Sequence, residues 1–520
     1  MTMNVAPADL PRTIPEAAQR AARLWAERPA IIEDGVTHSF DELWDEARRC
    51  AAACMALGVE AGSRVAIWAP NSRQWILAAI GAQICGAAIV PLNTRMKGRE
   101  AGDILRRAKV SVLFTVSGFL GCDYPAFLKD EDTPDLKHTV MLDNAAWGEF
   151  LASGKHIAND VVDRAVASIT AETISDIMFT SGTTGSPKGV LTAHGQVVRM
   201  FNDWGERVDV RERDRFMIVN PFFHTFGYKA GWVACLVRGA TILPMAVFDP
   251  AKLADIIETD RVTFIPGPPT IYQMLLIEQE KAGRDFSSLR VAVTGAAPVP
   301  PSLIYRMKNE LGMERVVNGY GMTEHGCVCM TPSDATVEKI SASIGMPIPG
   351  VEVICTDDQG REVPTGQSGE FWIRSYGVMR GYLDDPEATA ETITPEGWLK
   401  TGDIGHKDAD GYLYITDRVK DMYISGGFNC YPAEIEKMLN DHPGIEICAV
   451  VGIPDERMGE VGKAFVIPRA GVALDPQEVI AWSRENMANY KVPRKVVLVD
   501  DLPRNAAGKV LRTVLREMGQ

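Results

Sequence analysis

The stretch Phe179-Thr180-Ser181-Gly182-Thr183-Thr184-Gly185-Ser186-Pro187-Lys188-Gly189-Val190 carries the most chemistry in the chain. Residues 180–189 hold three glycines, five hydroxyls and one lysine, directly after the apolar run Ile177-Met178-Phe179. That run predicts a strand ending in a loop. Glycines let backbone N–H groups converge on an anion without a Cβ in the way, and hydroxyls add donors. Lysine brings a mobile positive charge for phosphate. The loop therefore suits a polyphosphate, whereas a glycine and serine cluster alone reads as a flexible surface loop. The P-loop of nucleotide hydrolases needs Gly-Lys followed by Ser or Thr, so that a hydroxyl reaches magnesium. Here Pro187 precedes Lys188 and Gly189-Val190 follow it, so that hydroxyl is missing.

Four further stretches carry side chains fit for nucleotide chemistry. Asn318-Gly319-Tyr320-Gly321-Met322-Thr323-Glu324 sets a hydroxyl beside a carboxylate. That pair suits a phosphate oxygen and its bridging magnesium, because hard cations take oxygen ligands. Tyr320, between glycines, offers a flat face to a purine. Gly397-Trp398-Leu399-Lys400-Thr401-Gly402-Asp403 ends in an aspartate able to accept two hydrogen bonds from ribose hydroxyls. Asp417-Arg418-Val419-Lys420-Asp421-Met422-Tyr423-Ile424-Ser425-Gly426-Gly427 alternates charges as a charged hinge would. Pro503-Arg504-Asn505-Ala506-Ala507-Gly508-Lys509-Val510 presents a lysine on a near-terminal loop. Each taken alone has a plain reading: a turn with a core tyrosine, a surface turn, a solvated charge run, an exposed lysine.

The elements that must position these residues follow from patterning. A chain of 520 residues predicts about two to four structural units. Short β-like runs alternate with helical patterns through about residue 311, among them 65–68, 88–90, 110–114, 215–219 and 262–265, with helices at 40–57 and 301–311. Alternation of this kind predicts α/β layers with largely parallel sheets. From about Gly350 the runs 351–355, 369–374 and 412–415 are separated by Asp/Gly turns, as in a small antiparallel barrel. The last hundred or so residues read as a smaller α+β unit, with helices at 432–440 and 479–488 and strands at 447–451 and 464–467. The apolar stretch 75–92 contains Gln83, two glycines and Pro91. It reads as a buried helix at 72–85, a turn at Gly86 and a strand at 87–92 rather than a membrane span.

Hydrophobic residues make up 46% and charged residues 23%, the balance of a soluble globular protein. Net charge is 54 − 68 = −14 with no basic cluster or tail, which argues against nucleic acid as a partner. Ten cysteines are scattered without zinc-knuckle spacing. Residues 1–18 carry no long apolar core, so a reducing cytoplasm is expected.

In this order, the five stretches resemble the acyl- and aryl-CoA synthetases of the adenylate-forming superfamily, over residues 30–512. The resemblance implies an N-terminal adenylation domain at 1–419 and a mobile C-terminal domain at 420–520. It implies ATP, magnesium and coenzyme A, a small-molecule carboxylic acid as substrate, and leaves homodimerisation open. Thr180, Ser181, Gly182, Thr183, Thr184, Gly185 and Lys188 would hold the β- and γ-phosphates of ATP. Gly295, Ala296 and Ala297 would line the adenine site and Tyr320 would stack on the base. Thr323 would contact the α-phosphate, Glu324 would hold magnesium, and Asp403 and Arg418 would bind the ribose. Lys509 falls at the lysine of the adenylation step. Lys420 falls at the hinge and Gly427 near a pantetheine tunnel. Asp417 stands where relatives often have glycine.

His224, Tyr228, Lys229 and Gly321 would border the acid. His224 falls at the aromatic that gates the carboxylate pocket. Gly321 stands where acetate-specific relatives close the pocket with tryptophan, so a larger acid is expected. The runs Pro221-Phe222-Phe223-His224-Thr225-Phe226-Gly227-Tyr228-Lys229-Ala230-Gly231, Pro266-Gly267-Pro268-Pro269-Thr270-Ile271-Tyr272-Gln273 and Asp421-Met422-Tyr423-Ile424-Ser425-Gly426-Gly427-Phe428-Asn429 resemble the HIP-CoA ligases of bacterial steroid breakdown. Lys229 interrupts an apolar run and is expected to snorkel to the surface. Its functional alternative is donation to a ring carbonyl of a keto acid.

Overall fold

The computed structural model describes residues 10–181, 187–295, 299–418, 423–469, 471–503, 510 and 512–518. Two large sheets form the body. The first has seven strands, with Ile174–Ser181, Ala88–Pro91, Arg64–Trp68, Val112–Thr115 and His138–Met141 neighbouring one another in parallel. Pro187–Ala193 and Gly381–Tyr382 extend it antiparallel at one end. The second has nine strands. Its central run is Arg315–Met322, Val291–Gly295, Phe264–Pro266, Arg215–Ile218 and Thr241–Pro244, again parallel. Gly326–Met330 folds back antiparallel on Arg315–Met322.

The stretch read as a buried helix is one. Arg73–Ile84 is helical, its N-cap Ser72 accepts from the Trp75 N–H, and every residue from Trp75 to Ile84 is buried. Gly86 takes φ +76°, where a Cβ would stand 3.1 Å from Ala61, and turns the chain into Ala88–Pro91. A helix apolar on all sides is buried between layers, and among the described residues no helix is long and apolar enough to cross a membrane. The helix Phe40–Ala56 packs against it, closed by reciprocal bonds between Ser39 and Glu42 of 3.1 and 2.8 Å. Helices Pro250–Thr259, Pro269–Ala282 and Pro301–Asn309 bury Leu253, Tyr272 and Ile304 in a second cluster on the nine-stranded sheet.

The antiparallel region after Gly350 is a four-stranded sheet of Val351–Thr356, Gly369–Ser375, Leu399–Lys407 and Leu413–Arg418, and a single bridge from Gly345 to Leu413 leads back toward the body. Residues 423–518 carry their own five-stranded sheet, with the helices Pro432–Leu439 and Pro476–Asn486. Two clusters, one around Ile435 and Val450 and one around Phe465 and Leu515, are built from this part of the chain alone. All ten cysteines are free thiols.

Candidate active site

The site begins with two strand ends that approach closer than a side chain allows. Val291–Gly295 and Arg315–Met322 run parallel with Gly295 opposite Gly319. A Cβ on Gly295 would stand 2.6 Å from the Gly319 carbonyl oxygen, and one on Gly321 would stand 2.2 Å from that of Gly326. Glycine is therefore dictated at both positions by backbone packing. The chain turns back after Met322, with the His325 N–H donating to the Met322 carbonyl at 3.1 Å. Thr323 and Glu324 sit on the tip of that turn, at the carboxyl end of a parallel strand, where open α/β sheets place their ligands.

Thr180 and Ser181 belong to the Ile174–Ser181 strand, and Lys188 lies opposite Thr180 on Pro187–Ala193. This corrects the reading of 180–189 as one loop, because the antiparallel ladder continues to the base of the turn. Gly182, Thr183, Thr184 and Gly185 lie outside the described residues. So do Ala296, Ala297, Lys420 and Lys509.

One residue that sequence reasoning missed ties these parts together. Tyr382 pairs in the sheet with Val190. Its Oη donates to Glu324 Oε1 at 3.0 Å, and Lys188 Nζ stands 5.1 Å from its ring centroid. Burial, then the Glu324 carboxylate, push the phenol pKa well up, so Tyr382 remains a donor. Lys188 and Glu324, far apart in sequence, thus share one aromatic neighbour.

The residues expected at the nucleoside converge too. Tyr320 Oη donates to Asp403 Oδ2 at 2.5 Å. The Asp403 N–H donates to Thr401 Oγ1 at 3.0 Å, and Thr401 donates to the Phe371 carbonyl at 2.8 Å. Gly402 takes φ +71° and gives its N–H to Glu370 at 2.8 Å. That left-handed residue accompanies a register shift between Leu399–Lys407 and Gly369–Ser375, a bulge that re-aims the next side chain. Arg418 lies across the ladder from Asp403, with its side chain outside the described residues.

Among the residues expected to border the acid, His224 caps the short turn Thr225–Gly227, its Nδ1 accepting from the Phe226 N–H at 3.2 Å, so that the proton of the neutral ring resides on Nε2. A π-helical turn, Tyr228–Val233, follows. Such turns are rare and concentrate at functional sites. Lys229 on it does not snorkel: it is 2% exposed, with Nζ 2.8 Å from Asp176 Oδ1 and 3.1 Å from Thr192 Oγ1. The wide turn points Lys229 inward, and the Asp176 carboxylate offsets the desolvation that would otherwise expel an ammonium. Ser175 donates to Asp176 Oδ2 at 2.7 Å, and Gln83 donates to Tyr228 Oη at 2.9 Å. A readable signal existed: Asp176 and Lys229 are each the one charge in an apolar run. A cavity of about 10 Å³, room for one water, is lined by Lys229, Thr192, Phe201, Thr323 and His325. Gly427 lies at φ +84°, where a Cβ would be 3.9 Å from Pro268.

The family model "AMP-binding enzyme" matches residues 18–383, and that of the "AMP-binding enzyme C-terminal domain" matches 434–509. The chain belongs to the AMP-binding enzymes. Its relatives include the 3-[(3aS,4S,7aS)-7a-methyl-1,5-dioxo-octahydro-1H-inden-4-yl]propanoyl:CoA ligases of Rhodococcus jostii, 46% identical, and Mycobacterium tuberculosis, 47% identical, each over 98% of this chain and 99% of the relative. An o-succinylbenzoate CoA synthetase from Bacillus subtilis, as a double mutant bound to a product analogue, superposes with a TM-score of 0.83 at 30% identity, covering 96% of this chain and 98% of that one. The same synthetase with its acyl-adenylate gives 0.65 at 29% identity, covering 96% and 97%. This AMP-binding enzyme is an AMP-forming acyl-CoA synthetase, which uses ATP, magnesium and coenzyme A.

Two measurements follow. Tyr382→Phe removes the protein donor to Glu324. A hydrogen bond to a charged group contributes about 1.5–3 kcal/mol, so adenylation is expected to fall about 10-fold or more, read by pyrophosphate exchange. An unchanged rate would remove Tyr382 from the site. The second concerns His325, which is buried against Ser375 Oγ at 2.6 Å and whose pKa burial lowers to about 4. The unfolded histidine titrates near 6.5, so between these values the unfolded chain binds more protons. Its contribution to stability is complete above that value and declines as pH falls. His325→Gln is expected to remove about 2 kcal/mol of the loss accumulated by pH 5, measured by chemical denaturation at acid and neutral pH.

Proposed function

We propose that the acid is a bulky, ring-bearing keto-propanoate of the kind named for the Rhodococcus and Mycobacterium relatives. The observation that carries this reading is Lys229, a buried ammonium on the same cavity as Thr323. Lys229 has three N–H donors; one goes to Thr192 Oγ1, and Asp176 stands beside it as an ion-pair partner at 2.8 Å. A remaining donor is suited to a ring ketone. The cavity holds no bicyclic acid as it stands. Met200, on its wall, is the unbranched side chain able to move aside.

A carboxylate is a poor electrophile, being anionic and resonance-stabilised. Its attack on the α-phosphate of ATP yields an acyl-adenylate and pyrophosphate, and the thiol of coenzyme A then displaces AMP. The difficulty is to bring one anion onto another while charge builds on phosphorus. In our reading residues 180–188 hold the β- and γ-phosphates, Gly295, Ala296 and Ala297 border adenine, and Tyr320 stacks on it. Asp403 gives up its bond to Tyr320 and accepts from the ribose hydroxyls beside Arg418, and Thr323 meets the α-phosphate. Magnesium binds through one or two carboxylates and substrate phosphates rather than a protein cage. The site fits that habit: no cluster of three or more acidic, histidine or cysteine ligands exists among the described residues, and Glu324 is held by Tyr382. Bound there, the ion would neutralise phosphate charge.

We assign adenylation to residues 1–419 and a mobile unit to 420–520. Lys420 would be the pivot, Gly427 would border the pantetheine path, and Lys509 would contact the reacting phosphate. The free thiols fit a reducing cytoplasm.

Lys509→Ala is expected to cut adenylation about 10²–10³-fold, the usual cost of one preorganised contact, and to spare thioester formation from supplied acyl-adenylate. Equal loss of both half-reactions would sink that role. For the acid, AMP release is to be measured with the indanedione propanoate, its deoxo analogue, a medium-chain fatty acid and ferulate. A preference for the first is expected. Because Lys229→Met alone strands the Asp176 carboxylate, it is paired with Asp176→Asn. The double variant should raise KM for the keto acid and leave that for the deoxo acid unchanged; an equal rise for both would end the Lys229 proposal.

A further inference from the structure

Where residues 423–518 meet the rest of the chain, one carboxylate gathers three donors. Glu100 stands in the first turn of the helix Gly98–Arg107. Its Oε2 accepts from the Lys97 N–H at 3.0 Å and from the Ala488 N–H at 3.1 Å, and its Oε1 lies 2.6 Å from Lys491 Nζ. Lys491 also lies 2.7 Å from Glu434 Oε1 on the helix Pro432–Leu439, and is 3% exposed. Burial by itself would lower the Lys491 pKa, but Glu100 and Glu434 outweigh it and hold the ammonium well above its ordinary value. Around this triplet Asn93 donates to Tyr490 Oη at 3.1 Å, and Phe428 stacks on Tyr490 at 4.6 Å. Arg99 and Asp441 pair at 2.6 Å on the exposed rim.

The triplet is asymmetric. Lys491 and Glu434 both belong to the C-terminal residues, and Glu100 belongs to the body. Any rotation of one against the other parts Glu100 from Lys491 and Ala488 and leaves Lys491 with Glu434. Glu100 would then keep the Lys97 N–H and gain water. The present arrangement superposes better on the B. subtilis synthetase bearing a product analogue than on the same enzyme bearing its acyl-adenylate.

We propose that Glu100 is a positioning residue that holds the C-terminal unit in the orientation used for thioester formation, and that its negative charge sets the share of enzyme in that orientation. The proposal rests on the two-step ligase activity and not on the identity of the acid. It is tested in the full-length enzyme with any acid that supports pyrophosphate exchange, so failure of the keto-propanoate reading leaves it open to judgement.

Glu100→Gln keeps the shape and the acceptor for Lys97 and removes the charge. Thioester formation from supplied acyl-adenylate is expected to fall about 10- to 100-fold, the scale of a lost hydrogen bond to a charged group, with pyrophosphate exchange and its KM for ATP unchanged. Glu100→Asp, which restores the charge with a shorter reach, should recover part of the loss. Glu100→Lys, which repels Lys491, should deepen it, again with exchange retained. A merely structural role would lower both half-reactions together, and that result, or no change in either, would overturn the proposal. Fluorophores placed on the two units provide a second reading. Glu100→Gln should shift the inter-unit distance distribution away from the wild-type one when a product analogue is bound, and an identical distribution would also overturn it.

Discussion

The site depends on two backbone approaches that leave no room for a Cβ. Gly295 lies against the Gly319 carbonyl, and Gly321 lies against that of Gly326. These contacts let a parallel strand and an antiparallel return share the same segment, so Tyr320, Thr323 and Glu324 emerge together at one edge. The rest of the site is arranged around that edge. Tyr382 anchors Glu324 and neighbours Lys188, while Asp403 is re-aimed by the left-handed Gly402 to meet Tyr320. Positions that bring anions together need preorganised donors, because reorganising them during reaction would cost much of their effect. A strand framework supplies that rigidity better than free loops do.

A second feature is the placement of charge where water is absent. Lys229 with Asp176, and Lys491 with Glu100 and Glu434, are both buried ion groups. Such groups seldom add net stability over well-packed apolar side chains, while stranding one partner is costly. Their value lies in specificity of arrangement. The first group fixes a donor beside the turn that carries Thr323. The second joins residues 423–518 to the body of the chain, so it can bias their arrangement without altering either part.

How much of this was legible in the sequence depends on range. Local signals read well. Ser72 and Gly86 bracketed the buried helix, as the structure has it. Lys229 was misread because a lone lysine in an apolar run ordinarily extends to the surface. Its partner Asp176 lies on the strand Ile174–Ser181, remote in sequence, and only the π-helical turn points the two at each other. The span 180–189 was read as a loop because glycine suppresses strand propensity, yet the ladder persists through Lys188 by pairing with Thr180.

By itself the sequence determined the class of chemistry. Five motifs in fixed order specify ATP, magnesium and a carboxylate, since residue type alone decides which groups can bind phosphate, ribose or a hard cation. Only the tertiary structure decided the neighbours: Tyr382 between Glu324 and Lys188, Asp176 beneath Lys229, Glu100 against Lys491. The reason is physical. A donor's chemistry is carried by its own atoms, but its partner and its burial are set by packing between segments far apart in the chain, and no local pattern encodes that distance.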